Sequence, residues 1–284
     1  MRALLYVFVL VAFTSCVQQE ISTDHVSETE IDDMNHEELI ESDSTLLLAI
    51  RDTLFKAGLV PISEVDSRII IDLRYATENN FMGRQLYDTL QETFLQFEVL
   101  ERLVKCQDYL DSLKPGYRLK VFDAVRPVQV QSEMWYALDT VPPLNRGKYV
   151  SNPALGSVHN FGAAVDITIC DENGDELDMG AGYDDFRPIA FPSKEAHFLK
   201  SGELSIAQYE NRRLLRSVMR SQRFSNIPSE WWHFNAFSRK TAERKYRLLY
   251  NESGKTIKWH TIPPPAEDSV VSLPDTISDN SVDQ

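Results

Sequence analysis

Hydrophobic and polar positions along the chain alternate with two periods, and each period predicts a kind of element. Residues 45–58 (TLLLAIRDTLFKAG) read as a helix that stops at Gly58. Ile69 to Leu73 alternates as a short strand. Phe94, Phe97, Leu100, Val104 and Leu110 recur at helical spacing and predict a helix from about Thr93 to Leu113, with that stripe in the core and Lys114-Pro115-Gly116 ending it. Tyr117–Asp123 alternates as a strand, and a helix follows Arg126-Pro127 to about Leu138. Pro142 to Gly147 reads as loop. From Ala163 to Cys170 the alternation is clean: Val165, Ile167 and Ile169 share one face, and Asp166, Thr168 and Cys170 the other. Asp171–Asp175 is a turn, residues 205–222 a helix, and Glu230–Phe234 a short strand. This mixture predicts an α+β fold, a small and largely antiparallel sheet with helices packed around it.

Charge divides the chain differently. The formal net charge is −14, yet residues 17–50 hold ten acids and residues 261–284 five more, with no Lys or Arg in either stretch. The acidity therefore belongs to the ends. Such acidic, Ser/Thr-rich segments bury too little apolar surface to offset the entropy of ordering, so disorder is expected for 17–44 and 261–284. The body between, residues 45–260, is long enough for one substantial core. No basic stripe appears, which excludes nucleic acid as an expected partner.

Residues 1–16 read as an export signal: Arg2, then an apolar run from Ala3 to Phe13, then Thr14-Ser15-Cys16. Those eleven apolar residues are too few for a spanning helix, which needs about 20. Small residues before Cys16 resemble the lipobox of bacterial lipoproteins, although Phe13 stands where Leu is usual. The expectation is a cell-envelope or periplasmic lipoprotein whose only membrane attachment is a lipid on Cys16. Ordinary secretion with cleavage elsewhere is the alternative.

Only Cys106 and Cys170 remain, which make neither a disulfide framework nor a thiolate metal site. A metal would be held by His and carboxylates. Of six histidines, His25 and His36 lie in or near the N-terminal stretch, His260 begins the C-terminal one, and His197 has no evident partner. His159 sits in a turn-like segment leading into the strand that carries Asp166, and the two can converge on one ion. Spacing alone does not separate this from an edge aspartate beside a core histidine. His233 follows Glu230 by three, with Trp231 and Trp232 between as a dry wall. Desolvation there raises the pKa of a carboxyl, as a general base requires. The other reading is an amphipathic strand with a satisfied core His. Two His and one Asp fill three positions on Zn²⁺ and leave a fourth for water, the arrangement of a catalytic site.

The motif order carries a resemblance. Ser157-x-His159-x-x-Gly162-x-Ala164-x-Asp166, Met179-Gly180-x-x-Tyr183-Asp184 and Glu230-Trp231-Trp232-His233 resemble the VanX-type D-alanyl-D-alanine dipeptidases. Upstream, Tyr75-Ala76-Thr77-x-x-Asn80-Phe81 and Asp123-Ala124-Val125-Arg126-Pro127 are similar to that family's tyrosine and arginine motifs, and Asn211–Arg216 to its final helix. The similarity runs from about Val60 to Asn235. It implies one zinc ion per chain on His159, Asp166 and His233, with Glu230 as general base. Arg126 is implied to stabilise the oxyanion, Asp184 to bind the substrate ammonium with help from Tyr75 and Ser157, and Trp231 to wall the side-chain pocket. The implied activity is hydrolysis of D-alanyl-D-alanine in cell-wall peptide turnover. The alternative is a zinc D,D-carboxypeptidase or endopeptidase on peptidoglycan stem peptides, which shares the ligands but needs an open groove. Val125 stands where the family commonly has Tyr, which is expected to affect pocket shape.

Overall fold

In the computed structural model, residues 36–262 are described, with side chains from residue 45. The signal segment, Cys16, His25 and most of both acidic ends lie outside the described residues. By its internal contacts the chain divides into two units, Met1–Ser44 and Thr45–Gln284. The first helix among the described residues, α1 (His36–Lys56), starts ahead of the expected Thr45 and ends before Gly58, whose φ of +81° suits glycine. Among the described residues no helix is long and apolar enough to cross a membrane.

The five-stranded sheet that carries the site has the order β2-β4-β5-β7-β6, with β2 Ile70–Ile71, β4 Arg118–Asp123, β5 Ala164–Cys170, β6 Ser225–Asn226 and β7 His233–Asn235. Only β2–β4 is parallel, so the architecture is the expected α+β with a largely antiparallel sheet. Two smaller pairs flank it, β1 (Leu59–Pro61) with β3 (Phe94–Gln96), and β8 (Leu248–Leu249) with β9 (Thr256–Ile257).

Every residue of β5 is buried, so both of its faces are covered. Val165, Ile167 and Ile169 join a core with Leu103, Cys106 and Leu110 of α2 (Phe97–Leu113) and with Leu215, Val218 and Met219 of α5 (Ile206–Ser221). The polar face carries Asp166. Cys106 and Cys170 are both free and buried.

Tertiary contacts move several element boundaries. Residues 94–96 are not the start of a helix but pair antiparallel with β1, and Phe97, expected in the core, is 54% exposed at the first position of α2. Local spacing matched a helix; the neighbouring strand decided otherwise. Pro143–Arg146, expected as loop, forms one helical turn, for which a leading proline is well suited. The strand expected from Glu230 begins only at His233, because the Asn226 side chain ties the segment by donating to the carbonyls of Glu230 and His233, each at 2.8 Å. The helix after Pro127, α3 (Val128–Ala137), and α5 agree with expectation, and a capping box of Ser205 and Gln208 opens α5. Between them in the chain lies α4 (Glu195–Ser201), and after β7 comes α6 (Arg239–Lys245).

Candidate active site

Strand register builds the centre. Asp166 of β5 pairs directly with His233 of β7 on one side and with Asp123 of β4 on the other. The second pairing depends on an irregularity between Val121 and Asp123: regular continuation from Val121↔Ile167 would set Phe122 opposite Asp166. A bulge re-aims a side chain in this way. His159 comes from a single 3₁₀ turn, His159–Phe161, closed by Gly162 at φ +64°.

Three acceptor atoms converge. His159 Nε2 lies 3.0 Å from His233 Nδ1 and 3.2 Å from Asp166 Oδ1, and the last two are 3.0 Å apart. The other nitrogen of each ring is used elsewhere. His159 Nδ1 donates to the Ala124 carbonyl at 2.6 Å, and His233 Nε2 donates to Asn235 Oδ1 at 3.0 Å. These bonds fix the tautomers and turn two bare lone pairs towards a carboxylate oxygen. Without a cation, three acceptors at such distances repel. A tetrahedral ion with bonds of about 2.0–2.1 Å requires donor atoms about 3.3 Å apart. The triangle therefore fits a zinc-sized ion, as the sequence predicts.

Around it stand the other expected residues. Arg126 is buried; its Nε donates to Asp123 Oδ2 at 2.9 Å, Nη1 to Gln131 Oε1 at 3.1 Å and Nη2 to Asp166 Oδ2 at 3.3 Å. Burial alone would lower its pKa, but Asp123 and its other neighbours outweigh that and hold it firmly cationic. Asp166 is driven the opposite way: burial raises its carboxyl, yet positive charge beside it, that of His159 and then His233 when these rings are protonated, brings it well below the usual range, and an ion held by the neutral rings would take that part. Tyr183 also donates to Asp166 Oδ2, at 3.1 Å. Glu230 Oε2 lies 3.9 Å from His233 Nδ1, and desolvation pushes its pKa up to about 7. That is the range a general base needs near neutrality.

Asp184 accepts from Tyr75 Oη at 3.2 Å and from the Phe81 amide at 3.4 Å, and no cation lies within ion-pair distance of it among the described residues. Burial, then the charge of Asp166, raises its pKa to about 8. Its φ of +58° is unusual for a non-glycine residue, a strain often found at functional positions.

Tyr75, Arg126, Ser157, His159, Asp184, Glu230 and His233 line one cavity of about 320 Å³. One expectation needs correction. Trp231 does not line it; its indole donates to the Ala181 carbonyl at 3.0 Å within the core, and Trp232 is the wall. Residues 231–232 form a bend ahead of β7, so strand alternation does not set their directions. Val125 does not itself line the cavity; it is fully buried in a second core cluster that also holds the lining residues Tyr75 and Val150. Asp123, Gln131, Tyr183 and Asn235 were given no role by the sequence. Spacing offered a cue for Asp123, three residues before Arg126, and for Asn235, two residues after His233 in one strand.

A cluster of two imidazoles and one carboxylate with open space beside it, a half-buried acid and a buried guanidinium define a metal-dependent hydrolase site. Sequence relationships agree. Residues 55–250 match the family described as D-ala-D-ala dipeptidase. A D-alanyl-D-alanine dipeptidase of Escherichia coli is 32% identical over 176 residues, 62% of this chain and 83% of that protein. Proteins of the same name from a Synechocystis species and Enterococcus faecium are each 28% identical, over 72% and 90% of their lengths and 55% and 62% of this chain. This chain belongs to the D-Ala-D-Ala dipeptidase family.

Proposed function

We propose that the chain hydrolyses D-alanyl-D-alanine to two D-alanines, using one zinc ion held by His159, Asp166 and His233. One observation carries the reading to a dipeptide. Asp184 is a half-buried carboxyl with no cationic partner among the described residues, in the same cavity as Glu230 and the metal triangle. A free substrate ammonium supplies the missing charge.

The chemistry that zinc supplies there is Lewis acidity towards the scissile carbonyl and activation of water. Glu230 takes the proton from the attacking water and passes it to the leaving amine. Arg126, fixed on three acceptors, meets the charge that develops on the carbonyl oxygen. Asp184, with Tyr75 Oη on its carboxylate, anchors the ammonium end. Ser157 lines the cavity beside His159 and orients the turn by accepting the His159 amide at 3.3 Å.

The deciding assay compares metal-stripped and zinc-restored enzyme on D-Ala-D-Ala, L-Ala-L-Ala and an N-blocked pentapeptide ending in D-Ala-D-Ala. The expected result is zinc-dependent cleavage of the free D,D-dipeptide alone. Preference for the blocked pentapeptide would transfer the chain to the carboxypeptidase reading.

We also propose that the enzyme acts in the cell envelope as a lipoprotein, anchored through Cys16, in turnover of wall peptides. The apolar run before Thr14-Ser15-Cys16 supports this. Labelled palmitate should enter the wild-type chain and not Cys16→Ala; equal labelling of both rejects the anchor.

A further inference from the structure

A free dipeptide carries two charges, and Asp184 answers only one of them. Two guanidinium groups line the cavity, those of Arg126 and Arg239. Arg126 is already engaged by carboxylates, its Nη2 lying 2.7 Å from Asp123 Oδ2 and 3.3 Å from Asp166 Oδ2. Arg239, the first residue of α6, is exposed and forms no ion pair among the described residues.

Its side chain is nevertheless held in place. Nη1 donates to the Leu155 carbonyl at 3.2 Å, and the guanidinium carbon stands 5.4 Å from the centre of the Trp259 ring. Trp259 in turn packs on Gly156, where a Cβ would come within 3.0 Å of the indole Cζ3 and where φ is +65°. A backbone carbonyl and an aromatic face thus orient the group. Nε and Nη2 then remain as an unused pair of parallel donors, the geometry that takes both oxygens of a carboxylate.

We propose that Arg239 binds the C-terminal carboxylate of the substrate, so that the cavity reads both free ends of a dipeptide. The inference rests on the dipeptidase reading above. It makes Arg239 a specificity residue: without a free carboxylate in the substrate, the Nε–Nη2 donor pair finds no partner there. The partial exposure of the guanidinium limits the gain to about tenfold in affinity.

The test measures kcat and KM of the zinc-loaded enzyme on D-Ala-D-Ala and on its C-terminal amide, for the wild type, Arg239→Ala and Arg239→Lys. The wild type should prefer the acid. Arg239→Ala should raise KM for the acid about tenfold with little change in kcat, bringing acid and amide close together. Arg239→Lys should restore part of the preference, since a point charge remains without the fork. Equal losses on acid and amide in Arg239→Ala would show that the side chain only supports packing, and would overturn the proposal. So would a wild type that treats acid and amide alike while cleaving both. A wild type inactive on both removes the dipeptidase reading, and this inference with it.

Discussion

Asp166 and His233 stand directly opposite each other across β5 and β7, with Oδ1 and Nδ1 3.0 Å apart. Two of the three groups that could hold a metal are thereby placed by the backbone ladder of the sheet, and only His159 depends on a turn. The ladder, and the separate partners of each imidazole, preorganise the triangle before an ion arrives.

Removal of the metal should therefore abolish hydrolysis without unfolding the chain. Dialysis against a chelator is expected to leave the far-UV circular dichroism intact, and added zinc to restore turnover. Loss of the fold together with the metal would show that the ion, not the sheet, holds the site.

Asn235 controls the His233 tautomer through its Oδ1. Asn235→Ala should weaken zinc binding about 10- to 100-fold, as loss of a group that orients a ligand commonly does. Competition with a chromogenic chelator measures this directly, and unchanged affinity would remove Asn235 from the site.

Glu230 must be ionised to accept a proton, so activity rises with pH through its titration. Its pKa of about 7 before a cation binds sets an upper bound, since a nearby dication favours the carboxylate. The acidic limb of kcat/KM is expected at or below about pH 7. Glu230→Gln should retain zinc while kcat falls about 10²- to 10⁴-fold. A variant with near-normal turnover contradicts the general-base role.

Asp184 shows the opposing demands of stability and binding. Its folded pKa, about 8, lies above the usual aspartate value, so the unfolded chain releases this proton first as pH rises. Stability from this group is complete below about pH 4 and is lost up to about pH 8. Asp184→Asn should melt higher than the wild type at pH 8, with the advantage shrinking towards pH 4, while KM for the dipeptide rises strongly. Melting curves that track each other across that range argue against the buried charge.

Gly162 closes the turn that presents His159, and a Cβ there would meet Leu59 Cδ2 at 2.4 Å with φ at +64°. Gly162→Ala should destabilise the fold by about 2–3 kcal/mol through backbone strain and overpacking. Urea denaturation reads this, and a neutral result would mean that Leu59 moves aside freely.

The sequence by itself determined the long elements and the identity of the chemistry-bearing residues. Periodicity marks β5, the body of α2 and α5 because their apolar faces repeat in register with local geometry. His159, Asp166, Glu230 and His233 stood out because their residue types and motif order fit one chemistry. Only the tertiary structure decided how these were assembled. Residues 94–96 became strand because β1 lies beside them. Trp232 rather than Trp231 reached the cavity, and Val125 turned into the core. Asp123 came beside Asp166 through a strand irregularity. The reason is one of range. Local pattern reports which face of an element is apolar, whereas a hydrogen-bond partner or a buried charge is set by elements distant in the chain that meet only when the sheet closes.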